Sequence, residues 1–471
     1  MNWNALLRRA TRGLNSGRLV CLTLVVVPGL VPALVPALAQ AEPAAADAAA
    51  SAAAPADPAE ESVSVHGQFT STTQKHPGFN APYAGPNSLH RTEPALETVD
   101  LTLFLGARLW RGGAIYVDPE IDQGYGLTNT LGVAGFPSGE AYKVGNWTPY
   151  YRTPRIFLRQ VLALGSQQGP VESAPNSLAG LAPEDNLTLT VGKFSVVDIF
   201  DTNVFAHDPR ADFLNWSVIE SGAFDYAADS WGYTLGEALE WRQGDWTWRQ
   251  GFFALSTEPN AESLDTRFKQ HSLVFEVERR FSLGSRPGAI RLLGYTDQGR
   301  IARYDDAVAL ALQTHSNADV GLVRHEGIKS GWALNLEQDL GGGVGGFARL
   351  SANDGQHEAF DFTDINQALS AGLVFQGDSW HRAGDVAGIA FSQNGLSGVA
   401  RAYFAAGGLG ILIGDGQLPH YGAERIVEAY YQWRPLRPLS LAVDFQSIVN
   451  PAYNRDRGPV QVVGVRAHAE F

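Results

Sequence analysis

The chain has 471 residues, 18 % of them charged, a net charge of −14, 51 glycines, a single cysteine (Cys21) and a single methionine (Met1). One cysteine excludes a disulfide scaffold. Ordinary apolar content with charge below the roughly 25 % of soluble domains argues against a disordered chain, and the acidic balance argues against nucleic acid, whose phosphates demand a basic face. The length suffices for two or three soluble domains or one large closed sheet.

The first 41 residues read as a secretory signal peptide. Arg8, Arg9, Arg12 and Arg18 form a positive region with no acid before Glu42, Leu19 to Val27 is apolar, and Ala37-Leu38-Ala39 and Ala39-Gln40-Ala41 are small-residue cleavage patterns. Pro28, Pro32 and Pro36 interrupt the alternative, a membrane-anchor helix. Val20 before Cys21 does not match lipoprotein processing. Residues 42–61 are an Ala/Pro-rich acidic run, either a flexible periplasmic leader or a short Ala-rich helix.

From residue 62 onward the chain alternates with period two. At the C-terminus Val463, Val465, Ala467, Ala469 and Phe471 share one face, and Gly464, Arg466, His468 and Glu470 the other. Val427, Ala429, Tyr431 and Trp433 likewise oppose Glu424, Glu428 and Gln432, and Leu441, Val443 and Phe445 oppose Asp444 and Gln446. No later stretch is apolar enough for a transmembrane helix. A strand with one face in lipid and the other in a watery lumen needs this alternation. The spacing predicts strands at 63–71, 98–108, 113–121, 154–165, 186–195, 231–242, 246–256, 270–282, 288–298, 328–338, 344–354, 368–376, 386–394, 422–433, 439–448 and 459–471. Trp110, Trp241, Trp246 and Trp433 fall near strand ends, where an interfacial girdle would place them.

The connectors alternate in length, as short periplasmic turns and long external loops do. Arg111-Gly112-Gly113, Gln243-Gly244-Asp245 and Gly341-Gly342-Gly343 are turn chemistry on the short side. Segment 166–185 breaks the alternation by being long there. Val399, Tyr403 and Phe404 are helically spaced, so 398–405 reads as a short helix within the loop 395–421. The expected fold is all-β: a transmembrane antiparallel barrel of sixteen strands over 62–471, with both termini in the periplasm.

Several stretches resemble the carbohydrate-selective porins of the OprB family. They are His66-Gly67-Gln68-Phe69-Thr70, 104–113 (FLGARLWRGG), 129–140 (NTLGVAGFPSGE), Val191-Gly192-Lys193-Phe194-Ser195 with Asp198-Ile199-Phe200-Asp201, Asp208-Pro209-Arg210, Phe213-Leu214-Asn215-Trp216, and Asp444-Phe445-Gln446 leading into Asn450-Pro451-Ala452-Tyr453. The resemblance implies a sixteen-stranded outer-membrane channel passing sugars by passive diffusion. Some similar sequences are assigned to divalent-metal uptake, notably manganese, so a cation porin is the alternative.

The polar faces carry both signs: Arg155, Arg159, Arg249, Arg291 and Arg466 against Glu240, Glu276, Glu278, Glu428 and Asp444. Such a lumen is hydrated, and sugar hydroxyls both donate and accept hydrogen bonds; the competing reading is that these charges are wall pairs between strands. The loop 196–230, the longest, is expected to fold into the lumen facing Arg155 and Arg159, with Glu237 and Glu240 inward just beyond it. It supplies Asp198, Asp201, Asp208, Arg210, Asn215 and Trp216 as constriction candidates, Trp216 as a stacking platform, beside Arg155, Arg159, Glu428 and Asp444 of the wall. His207-Asp208 with Asp212 would be the metal set under the alternative. No nucleophile elbow, His-Glu-x-x-His or cysteine pair points to an enzyme, and no cofactor is expected. The expected partners are outer-membrane lipid, small sugars or other small hydrophilic solutes, and the barrel-assembly machinery through the strand ending in Phe471; whether the chain forms a homo-oligomer is open.

Overall fold

Alternating side chains force each segment to keep one face in lipid and one in water, and only a closed sheet does so without leaving unpaired backbone at an edge. The computed structural model of the chain describes residues 60–141 and 143–471. The expected signal peptide and the leader up to residue 59 lie outside the described residues.

The strands are β1 (Val63–Lys75), β2 (Leu96–Trp110), β3 (Gly113–Gly124), β4 (Asn146–Ala163), β5 (Gln168–Val171), β6 (Gly180–Pro183), β7 (Asn186–Phe194), β8 (Thr234–Gln243) and β9 (Trp246–Ala254). They continue as β10 (His271–Leu283), β11 (Arg286–Ile301), β12 (His325–Gly341), β13 (Val344–Asn353), β14 (Gln367–Gln376), β15 (Val386–Gly395), β16 (Glu424–Leu436), β17 (Leu439–Val449) and β18 (Val460–Glu470). All except β5 and β6 close into one antiparallel barrel in chain order, sixteen strands in all, with β4 beside β7 and β18 beside β1. The seam pairs Phe69 with Ala469, and the terminal Phe471 exchanges backbone hydrogen bonds with Gly67 at 2.7 and 2.9 Å. Among the described residues no helix is long and apolar enough to cross a membrane; the strands make the crossing.

Each expected segment has its strand, with ends that differ by a few residues. The largest difference is β4, which begins at Asn146 rather than 154. Pro149 and Pro154 lack the ladder donor, and the β3–β4 register shifts between Asp118 and Glu120 and again between Asp122 and Gly124, which masks the alternation. Elsewhere the faces are as the pattern sets them: Val443 is 58 % exposed on the lipid side and Asp444, one residue on, 2 % exposed on the lumen side. Trp110, Trp241, Trp246 and Trp433 are all exposed near the short-turn end. Glu237 is a correction. It is exposed and shares its face with the outward Leu239, because a residue three positions from the inward Glu240 must point the other way.

The long loops pack inside the barrel. The 195–233 loop is buried continuously from Phe213 to Ser230 and only partly before that, with Phe200, Phe213, Asn215, Ser217 and Val218 fully enclosed. It joins Phe136 from the 125–145 loop and Phe362 from the 354–366 loop in an apolar core that includes the wall residues Phe194, Phe253 and Tyr295. Burying such rings stabilises by about 1.5–3 kcal/mol each, which is why loops this long stay ordered. Among the described residues three α-helices lie in the loops: α1 (Trp216–Ile219), capped by Asn215, whose side chain accepts from the Ser217 N–H, α2 (Tyr304–Thr314), and α3 (Gly398–Ala405), where the sequence places a short helix, capped by Ser397. Tyr304 and Tyr403 pack with ring centres 4.9 Å apart, joining α2 to α3.

The exceptional segment 166–185 forms its own hairpin. β5 and β6 pair only with each other.

Candidate functional site

Period-two alternation aims the barrel's charged residues inward, and many of them meet backbone rather than water. Glu428 on β16 accepts the N–H of Leu214 at 2.5 Å and of Asn215 at 3.1 Å. Arg349 on β13 donates to the carbonyls of Val218 at 2.8 Å and Ala206 at 2.6 Å. Arg466 on β18 donates to those of Pro209 at 2.5 Å and Asp212 at 2.8 Å. Glu276 accepts from the Asp201 N–H at 2.8 Å and Glu337 from the Val204 N–H at 2.9 Å. A loop without a regular ladder has many backbone groups to satisfy when buried, and charged partners supply about 1.5–3 kcal/mol per bond. Glu424 does the same for the 125–145 loop, accepting from Ala134 and Gly135 at 3.0 and 2.7 Å.

These contacts divide the expected constriction residues. Asp201 is buried and accepts from Ser221 N and Oγ at 2.7 and 2.9 Å and from Asn335 Nδ2 at 2.8 Å. Asn215 donates through Nδ2 to the Gly135 carbonyl at 2.8 Å and to Gln446 Oε1 at 2.9 Å. Asp444 accepts from Gln446 Nε2 at 3.0 Å. Asp201, Asn215 and Glu428 thus hold loops and Asp444 bonds within its own strand; none of the four lines the cavity described next. Trp216 does reach that cavity, but Phe136 and Phe362 stack on it at 5.0 and 4.8 Å with interplanar angles of 17° and 18°, so it is part of a stack and not a free platform.

Arg155, Asp198, Asp208 and Arg210 line a cavity of about 230 Å³ bounded by the 125–145 loop, the 195–233 loop and β4, with Phe362 and Leu412 also on its wall. Arg155 and Asp198 form a two-bond pair, Nε to Oδ2 at 2.8 Å and Nη2 to Oδ1 at 2.6 Å. Asp198 Oδ2 also accepts from the Ser195 N–H at 2.9 Å, which fixes the start of the loop. Arg210 lies 3.4 Å from Asp100, 3.4 Å from Glu140 and 3.8 Å from Asp208. The Arg155 guanidinium sits 5.1 Å from the ring centre of Tyr233. Behind it, Arg152 sits 5.5 Å from Trp231 and 5.4 Å from Tyr233, held by Glu120 at 2.6 Å and by Asp122. Lys143 enters from the 125–145 loop, donates to the Asp361 carbonyl and lies 5.3 Å from the Phe362 ring. Burial holds its ammonium down at about 8. Burial also raises the Asp212 carboxyl to about 6, with Asp208 beside it adding to the rise. The cavity thus combines fixed donors, fixed acceptors and aromatic walls.

Trp231, Tyr233, Lys143 and Glu140 were not among the residues expected at the constriction. Trp231 and Tyr233 fall inside the segment read as the start of a strand, and β8 begins only at Thr234. Arg159 is a second correction. It does not face the 195–233 loop; its Nη1 donates to the Asn176 carbonyl in the hairpin at 2.9 Å, and it packs over Tyr116 and Phe157. The expected metal set does not converge either. Asp212 Oδ2 accepts the N–H groups of His207 and Asp208 at 3.0 and 3.1 Å, while His207 Nδ1 faces Glu220 at 3.7 Å. Among the described residues no three His, Cys, Asp or Glu are placed to hold a metal ion.

A closed sixteen-stranded antiparallel barrel with an apolar outer band, short turns at one end and long loops packed inside is the architecture of a Gram-negative outer-membrane porin. Residues 87–471 match the family described as carbohydrate-selective porin, OprB family, and the chain belongs to it. It is 22 % identical over 324 residues to porin AaxA of Chlamydia pneumoniae, a match covering 68 % of this chain and 64 % of AaxA, so it spans just under two thirds of that relative's length. The high-pH structure of OprB from Pseudomonas putida superposes with a TM-score of 0.64 at 14 % identity, covering 87 % of this chain and 94 % of that one. The divalent-cation alternative finds no support in these comparisons or in the side-chain geometry.

Proposed function

We propose that the protein lets small sugars diffuse passively across the outer membrane through the cavity bounded by Arg155, Asp198, Arg210 and Tyr233. The observation that carries this reading is the pairing of guanidinium and carboxylate groups with aromatic rings in one 230 Å³ space. A sugar presents hydroxyls that donate and accept, which this polar rim can match as water leaves, and an apolar ring face that suits an aromatic wall. Opposite charges held in pairs leave little net field, so a small ion gains less than a polyhydroxylated solute. Family membership supports the same solute class.

In this reading the long loops face the exterior, both termini of the barrel face the periplasm, and the exposed Phe471 presents the C-terminal strand to the assembly machinery. The test is osmotic swelling of liposomes containing refolded protein. Glucose and short maltooligosaccharides should enter faster than into protein-free liposomes, and Arg155→Ala should change their relative rates. Entry of sugars no faster than in protein-free liposomes overturns the reading.

A further inference from the structure

The short-turn end carries one insertion that no short-turn connector needs. Leu164 N–H bonds the Asp185 carbonyl at 2.9 Å, so the strands it joins, β4 and β7, are already close enough for a tight turn. Instead the chain runs out through β5 and back through β6, and the hairpin's tip lies inside the barrel. Asn176, at φ +56°, donates through Nδ2 to Asp118 Oδ2 at 2.9 Å, and its carbonyl accepts from Arg159 at 2.9 Å. Asp118 is fully buried midway along β3, so the tip has climbed to mid-barrel. Leu178 packs in the apolar cluster that holds Ala114, Tyr116 and Phe157 of the wall. The return from the tip is clasped as well: Glu61 and Ala179 exchange hydrogen bonds at 3.0 and 2.8 Å, and Arg108 donates to the carbonyls of both.

We infer that the 166–183 hairpin is a second constriction, built from the periplasmic mouth, and that solute leaving the upper cavity passes between it and the wall. A cavity of about 490 Å³ lies there, with Arg159, Tyr116, Arg111, Ser177 and Gln168 on its surface. This is again a donor-rich path, with one ring, Tyr116, on its wall, suited to a neutral polyhydroxylated solute. The two constrictions share a polar relay. Asp118 accepts from the hairpin tip and lies 3.8 Å from Arg155, which grips Asp198 of the 195–233 loop. The inference rests on the reading of the barrel as a diffusion channel.

The experiment is planar-bilayer recording of the refolded full-length protein, of a variant with 166–183 replaced by a two-residue Asn-Gly turn, and of Asn176→Gly. Glycine keeps the positive φ and the carbonyl but removes the bond to Asp118. Maltotriose is added to one side at a time, and heat-modifiable gel mobility reports barrel closure. Conductance should rise in the deletion variant, and block by maltotriose from the periplasmic side should become shorter-lived, with Asn176→Gly changed in the same direction. If the deletion does not close into a barrel, Asn176→Gly decides by the same readings. Conductance and side-dependence equal to the parent in every closed variant overturn the inference. Absence of maltotriose block in the parent channel removes the sugar reading, while the conductance comparison still decides whether the hairpin narrows the path.

Discussion

Arg155 of the barrel wall and Asp198 of the 195–233 loop meet in a two-bond guanidinium–carboxylate pair, at 2.8 and 2.6 Å, at the rim of the narrow cavity. The pair both holds the loop and sets the local charge. Replacing Arg155 with Ala leaves Asp198 without its cation and should cost about 2 kcal/mol of stability, the scale of a hydrogen bond to a charged group. It should also move the reversal potential in a salt gradient toward cation preference. Arg155→Lys should keep the charge and lose the two-bond geometry, restoring the reversal potential more than the stability. Urea unfolding in detergent and bilayer recordings check the two parts separately.

Glu428 should behave as an anchor and not as a solute contact. Glu428→Ala leaves the Leu214 and Asn215 N–H groups buried without acceptors, at about 1–3 kcal/mol each, whereas Glu428→Gln keeps one acceptor. The Ala variant should therefore show a noisier, larger open current and faster protease cleavage in the 195–233 loop, with Gln in between. Ion preference should change less than in Arg155→Ala. Limited proteolysis and current variance read the outcome.

The two faces of β17 give a register test. Val443→Arg places a charge on the lipid side and should cost about 2–4 kcal/mol near the bilayer midplane. Asp444→Asn points inward at a site that already accepts from Gln446, so the barrel should still close. Heat-modifiable mobility after refolding into lipid distinguishes them, and an exchange of the two behaviours would mean the strand is read one residue out of step.

Asp212 supplies a pH dependence. Its carboxyl, raised to about 6 by burial and by Asp208, is neutral below that pH and ionised above it. Rising pH through 6 therefore adds negative charge beside the Arg466 and His207 region, and the channel should grow more cation-preferring. Asp212→Asn should remove this step. Reversal potentials measured from pH 5 to pH 7.5 in both proteins check it.

The barrel was legible because lipid on one side and water on the other impose a period of two on every strand, visible from Val463–Phe471 to Ile115–Val117. It failed where the ladder is irregular: the β3–β4 register shifts hid the first turn of β4 and with it Arg152. The inward direction of Glu428, Asp444 and Arg466 was also legible. Their partners were not, because periodicity says which way a side chain points and nothing about what fills the space in front of it. Trp216 shows the same limit. An aromatic in a long loop can offer a stacking face, yet here Phe136 and Phe362, each far away in sequence, stack on it. The hairpin showed only as a connector too long for its side; its course into the lumen depends on Asn176 meeting Asp118 and Arg159, contacts that no spacing rule encodes.

The central claim is that a polyhydroxylated solute is recognised at the cavity of Arg155, Asp198, Arg210 and Tyr233. Its most direct test is single-channel current of the refolded protein during titration with glucose, maltooligosaccharides and manganese, with Arg155→Ala and Tyr233→Ala alongside. The account predicts concentration-dependent block by the sugars, weakened in both variants, and no such block by manganese. Manganese block in the parent channel without any sugar block would contradict it.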